Sequence, residues 1–171
     1  FHEDAIVKLD LATGRVKWIL GTHDGWQAPW RELLLTPRQG LTWQYHQHAP
    51  KLTPHGTILL FDNGNYRARP FAERLKASDS YSRAVEYSVD EATRTVSQVW
   101  TYGGPGDERF YSSFIGDADW LPRTGNVLVT DGGRISDGAG NPSDDESEHH
   151  WARLVEVTTT VRGIRSEVRL G

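Results

Sequence analysis

The feature that most constrains this chain is a strand–turn–strand pattern that returns three times. Residues 5 to 21, AIVKLDLATGRVKWILG, alternate apolar and polar up to Asp10, turn through Thr13 and Gly14, and resume as a strand carrying Trp18. Residues 84 to 103, AVEYSVDEATRTVSQVWTYG, follow the same plan with Asp90, a short polar turn, Trp100 and a closing Gly103. Residues 153 to 171, RLVEVTTTVRGIRSEVRLG, read as a third copy that has lost its Trp. Between the copies lie single apolar strands, TILLFDNG at 57 to 64 and NVLVTDGG at 126 to 133, each closing on Asp and then Gly.

Repeats of four short strands with variable loops predict an all-β fold of β-propeller blades, because each blade needs neighbours to bury its two faces. One blade spans 43–103, with an inner strand near 43–52, a second at 57–63 and an outer pair at 83–90 and 95–102. The next spans 111–171, with strands near 115–121, 126–131, 152–158 and 163–170. Residues 1–21 are then the outer hairpin of a preceding blade. That makes about two and a half blades, whereas propellers close with roughly four to eight. The chain is therefore expected to be a section of a longer ring, or to close as a homo-oligomer of several copies. Its first residues, FHEDAIVKLD, are neither a start nor a signal peptide, so the chain reads as an internal piece of a longer product.

Composition agrees and excludes several classes. Seven Trp, six Tyr and five Phe with 17 Gly and eight Pro favour short strands and turns over long helices. A net charge of −4 with scattered basic residues leaves no electrostatic footprint for nucleic acid. With no cysteine, disulfide and thiolate chemistry are excluded, and no apolar run is long enough to span a bilayer.

Chemistry concentrates in residues 43–69, WQYHQHAPKLTPHGTILLFDNGNYRAR. His46 and His48 stand at i and i+2, so on an extended segment both rings point to one face. Pro54 and Gly56 mark the turn into the next strand, which would bring the loop from Asn63 to Arg67 back beside the histidines. Imidazole, amide and guanidinium groups converging there make a pocket for an oxyanion such as sulfate or phosphate, with Arg69 and Arg83 as further cations. Asp62 and Gly64 read more simply as a strand-end turn. Two inserts, 65–82 and 134–150, interrupt the blades on what should be the functional face. The acidic part of the second, from Asp137 to Glu148, has clustered oxygens but not the spacing of a calcium loop, and no metal site is expected. His149 and His150 are neighbours on a strand and point to opposite faces. Trp18 and Trp100 recur at matching positions as packing residues, while Trp26, Trp30 and Trp43 are candidates to line an aromatic acceptor site.

The same segments resemble the bacterial PAPS-independent arylsulfotransferases. The matching pieces are HEDAIVKLDLATGRVKWILG, the QHA of 47–49, FDNGNYR at 61–67, YSRAVEYSVDEATRTVSQVWTYG at 81–103, YSSF near 111 and GNVLVTDGG near 125. The resemblance implies a six-bladed propeller, exported to the periplasm or secreted. It also implies transfer of a sulfuryl group from an aryl sulfate donor to a phenolic acceptor through a sulfohistidine, with no PAPS cofactor. It gives His48 the role of binding the sulfuryl oxygens and Arg67 that of a sulfate-binding arginine. At the place of the family's nucleophilic histidine, after Gly132 and Gly133, this chain has Ser136. His46, His149 and His150 are the candidates to replace it. Two rival readings are a non-catalytic propeller used for binding or assembly, and a hydrolase of sulfate or phosphate esters.

Overall fold

Alternating sequence becomes strand along most of its length. A computed structural model describes residues 4–65, 67, 73–106, 109–159 and 164–170. Among these residues are eleven strands, one 3-10 turn at Trp30–Leu33 and no α-helix, so the chain is all-β. Among the described residues no helix is long and apolar enough to cross a membrane.

β1 (Ala5–Leu9) and β2 (Val16–Gly21) form an antiparallel hairpin. β3 (Thr36–Pro37), β4 (His48–Leu52), β5 (Ile58–Asp62), β6 (Arg83–Asp90) and β7 (Thr95–Gly103) make a five-stranded sheet. Within it β4 to β7 are an antiparallel meander, and β3 adds parallel to β7 at the far edge. β8 (Asp117–Leu121), β9 (Asn126–Ser136), β10 (His149–Val157) and β11 (Ile164–Leu170) form a second antiparallel meander.

The repeated hairpin turns have one cause. Asp10 Oδ1 accepts from the backbone N–H groups of Ala12 and Thr13 at 3.1 and 3.0 Å, and Asp90 Oδ1 does the same for Ala92 and Thr93 at 3.0 and 3.1 Å. A short acidic side chain thus completes each turn locally. The hydroxyls of Thr13 and Thr93, followed by their backbone N–H groups, hold both carboxyls below the usual carboxylate range.

β5 organises the packing because it is buried on both faces. Leu59 and Phe61 point into a core shared with Ala84, Tyr102, Ala118, Val127, Val129 and Val155, which glues the two sheets together. Ile58 and Leu60, one residue out of phase, point into a second core with Trp18, Leu20, Leu35, Val85, Tyr87 and Val96, which fixes the hairpin and β3 side. Each such side chain contributes about 1.5–3 kcal/mol by leaving water. Trp18 belongs to the second core, and Trp100 packs against the first.

Two strand ends depart from expectation. The inner strand begins at His48 rather than near 43, because the backbone reverses at His46, whose φ is +50°. β9 continues past the expected end at 131 to Ser136, and β10 starts at His149, so the second insert shrinks to 137–148. Within each meander, alternation puts the starts of β4, β6, β8 and β10 and the ends of β5, β7 and β9 at one end. The connector from Phe110 to Gly116 joins those ends: Ser112 N donates to Ser82 Oγ, and Gly133 N donates to Ser112 Oγ.

Candidate functional site

At that shared end, two adjacent residues after the last apolar position of β5 face different tasks. Asp62 is fully buried and accepts from Tyr45 N and Gly64 N at 2.9 and 3.0 Å. Its other oxygen binds Arg83 Nε at 2.8 Å and Arg67 Nη2 at 3.0 Å. Gly64 sits at φ +66°, and a Cβ there would collide with the Tyr81 carbonyl oxygen, so the turn requires glycine.

Arg83, expected as a further cation of the anion pocket, is committed to partners within the protein. It is 3% exposed, and its nitrogens also donate to Thr42 Oγ1, Gln98 Oε1, the carbonyls of Thr42 and Trp43, and the Tyr87 hydroxyl. Burial works against its charge, but Asp62 outweighs it and holds the guanidinium above its ordinary range. Burial pushes the Tyr87 phenol up as well.

Arg67 is also committed inward. Beyond Asp62, it donates to the Tyr81 carbonyl at 3.1 Å and stacks over the Tyr81 ring at 3.8 Å, with Tyr45 at 5.2 Å. Its side chain is 10% exposed. Its Nη2 thus braces the strand end.

The second sheet repeats the device. Asp131 at the matching point of β9 binds Arg153 Nε and Nη2 from β10 at 3.0 and 2.8 Å, and Arg134 Nη2 at 2.8 Å. Arg134 lies between the rings of Phe110 and Trp151, at 4.9 and 4.5 Å. Burial lowers the Arg134 pKa, while Asp131 overcomes burial to raise that of Arg153. Each sheet thus carries one buried carboxylate between two guanidiniums, and in the second sheet Glu167 also lies 3.8 Å from Arg153 Nη1.

Asn63 turns the other way, toward the gap between the sheets, and is fully buried. Its Nδ2 donates to the carbonyls of Ser112 and Ile115 at 2.8 and 2.7 Å, and its Oδ1 meets His48 Nδ1 at 2.6 Å. Asn63 was expected to bind substrate, but both of its donor hydrogens are taken by carbonyls and its oxygen holds an imidazole. The Ser82 hydroxyl donates to the Asn63 carbonyl at 2.6 Å and buttresses the turn.

His46 does not share a face with His48. Positive φ takes it off the strand direction, and its backbone N–H and Nδ1 both approach Asp4 Oδ1, at 2.5 and 3.2 Å. The expectation of two rings on one extended face fails for that reason. Arg69 lies outside the described residues.

Backbone strain collects here. Five described non-glycine residues have positive φ, and four of them surround this spot: Asp4, His46, Ala49 next to His48, and Ile115, whose carbonyl holds Asn63. Each costs about 1–3 kcal/mol, and such strain persists mainly where a site requires it. Sequence reading missed Ser112, Ile115 and Ser82. Ser112 stood only within the YSSF stretch and Ser82 only within YSRAVEY, and neither stretch identifies a buttress by itself.

Ser136 sits elsewhere, at the end of β9, where its Oγ accepts from Trp151 Nε1 at 2.8 Å. It borders an open cavity of about 580 Å³ lined also by His149, Trp151 and Arg169. His150 Nε2 lies 2.8 Å from the Glu146 carbonyl. In the acidic loop, Asp137 Oδ1 is occupied by the N–H groups of Ala139 and Asn141, and Asp144 reaches back to Arg74 and the Ala77 N–H at 2.7 and 2.8 Å. That contact ties the second insert to the first. Trp43 packs on the second core and 5.8 Å from the His23 ring, while Trp30 is exposed. Among the described residues no three His, Asp or Glu side chains converge as metal ligands.

The family model described as arylsulfotransferase (ASST) matches residues 2–169. An arylsulfate sulfotransferase, AssT, from Escherichia coli O6:H1 is 37% identical over 117 residues, covering 57% of this chain and 19% of that protein. The protein of the same name from Lelliottia amnigena is 34% identical over 128 residues, covering 65% of this chain and 21% of its own length. The chain thus spans about a fifth of the length of these curated relatives.

Proposed function

The chain belongs to the arylsulfotransferase family, and from that premise we propose that it is the section of a periplasmic or secreted enzyme that moves a sulfuryl group from an aryl sulfate to a phenolic acceptor without PAPS. The section comprises residues 43–103 and 111–171 as two blades and 1–21 as the outer hairpin of another, in a six-bladed propeller. The observation that carries the reading is the His48–Asn63 pair at 2.6 Å, set in a ring of strained backbone at the end of both sheets.

Sulfuryl transfer needs an imidazole held in one orientation and a field that favours an anion. The buried amide supplies the first. The second comes from the Asp62 cluster, where one buried carboxylate is shared by two guanidiniums, so that Arg67 acts through its charge from within the turn. Such preorganised charge costs no reorganisation when the phenolate departs.

The test is turnover by the intact protein. Incubation with an aryl sulfate and a phenol yields the new aryl ester at a rate set by both substrates. Release of free sulfate independent of the phenol makes the protein a hydrolase. No turnover together with no affinity for aryl sulfate leaves a binding or assembly module, a reading that Ser136 and its Trp151 hydrogen bond favour.

A further inference from the structure

We infer that Phe114 and Ile115, on the connector between the two sheets, are the residues against which the aromatic ring of the aryl sulfate rests, and that they set a preference for large, flat rings. The inference rests on the transferase reading. It concerns the part of the ester that the histidine and the arginines do not meet.

Ile115 has the conformation that most needs a cause. Its φ is +54°, and for a β-branched side chain the left-handed region is a steric outlier. Such a backbone persists only where its surroundings hold it. Here they hold it at several points. Asn63 Nδ2 donates to the carbonyls of Ser112 and Ile115 at 2.8 and 2.7 Å, one on each side of the bend. Ser113 N donates to the Gly133 carbonyl at 3.1 Å, and Gly133 N returns the bond to Ser112 Oγ at 2.9 Å. A Cβ on Gly133 would stand 2.0 Å from the Phe114 carbonyl oxygen and 3.0 Å from Phe114 Cγ, and one on Gly132 would stand 3.3 Å from Ile115 Cγ2. The connector is thus pressed onto two residues of β9 that have no side chain to resist it.

What this bracing achieves is display. Phe110 and Tyr111, earlier on the same connector, are buried, whereas Phe114 is 39% and Ile115 57% exposed. A neighbouring pair of large apolar side chains, held firmly and left in water, does little for the fold and offers its surface to a ligand. A fixed apolar surface best matches a rigid ring, which loses little freedom on binding.

The neighbours say what the ring must carry. Asn63 joins the pair to the imidazole, because the amide that holds the Ile115 carbonyl also meets His48 Nδ1 at 2.6 Å. The residue before it, Asp62, gathers Arg67 and Arg83. A flat apolar body joined to an oxyanion is complementary to that arrangement, and an aryl sulfate has that form. Other exposed apolar residues lack such company: Leu52, 78% exposed, stands at the opposite end of β4 from His48.

The test compares two esters of similar leaving-group acidity, para-nitrophenyl sulfate and the bicyclic 4-methylumbelliferyl sulfate, with the intact protein and one phenol in excess. Asn accepts positive φ more readily than Ile, so Ile115→Asn is expected to melt at or above the temperature of the parent. It should raise KM for the bicyclic ester by about 10-fold, with a smaller rise for the single ring and kcat nearly unchanged. Phe114→Ala is expected to shift KM in the same direction. Unchanged KM values in both variants, or equal shifts for the two esters, overturn the inference and leave the transferase reading intact. A lower melting temperature with unchanged KM also overturns it, and makes the pair packing residues. If the parent does not turn over, its affinity for 4-methylumbelliferyl sulfate is read by fluorescence. Binding that Ile115→Asn abolishes sustains the apolar rest and overturns the transferase reading, and no binding by the parent overturns both.

Discussion

Asp62 and Asn63 are adjacent side chains with different partners: one binds two guanidiniums, the other an imidazole and two carbonyls. Asp62 is shared by Arg83 and Arg67, and removing a carboxylate that two largely buried guanidiniums share leaves both charges uncompensated. Asp62→Ala is expected to destabilise the fold by about 3–5 kcal/mol, and Asp131→Ala in the second sheet by a similar amount. Urea denaturation measures both, and an unchanged midpoint for either would show that the guanidiniums find other partners. The pairing of His48 with Asn63 was legible in the sequence, since a tight turn between two strands had to return one toward the other. The position of His46 was not, because a histidine at positive φ leaves no mark in a pattern of apolar and polar residues. Nor could the sequence reveal that Arg67 and Arg83 converge on one carboxylate. Spacing places residues on a strand, while the choice between a buried partner and a ligand is made by tertiary packing.

At the scale of the element, the two matching hairpins depend on ionised aspartates. Because the folded pKa values of Asp10 and Asp90 lie below the unfolded one, their contribution is present above the ordinary carboxylate range and is lost as pH falls through the folded values. Asp90→Asn, which keeps the turn's acceptor without a titrating proton, should leave stability near neutrality almost unchanged and flatten the decline below about pH 4. Acid titration by circular dichroism checks this, and parallel curves for variant and parent would exclude the turn as a contributor. Gly64→Ala, forced into a left-handed turn against the Tyr81 carbonyl, should cost at least about 1–3 kcal/mol. These elements were the most readable part of the chain, because an Asp followed by Ala-Thr and a period-two pattern each have a local cause. The extension of β9 to Ser136 was less so: it depends on pairing with β10 across residues that look like loop.

For the molecule as a whole, the decisive surface is the pair of opposed faces on β5. Phe61 lies in the core between the sheets, and Phe61→Ala should remove about 3–5 kcal/mol and loosen one sheet from the other. A broadened thermal transition would register the second effect. The strand that carries Phe61 ends at Asp62, with Asn63 next, so the His48 imidazole takes its orientation from the same ladder that joins the two cores. If the proposed function holds, a site moored this way has no independent hinge to lose. Heat should therefore silence the enzyme at the temperature where it melts and not before, and a one-residue deletion within β5 should exchange anchor for chemistry and abolish both together.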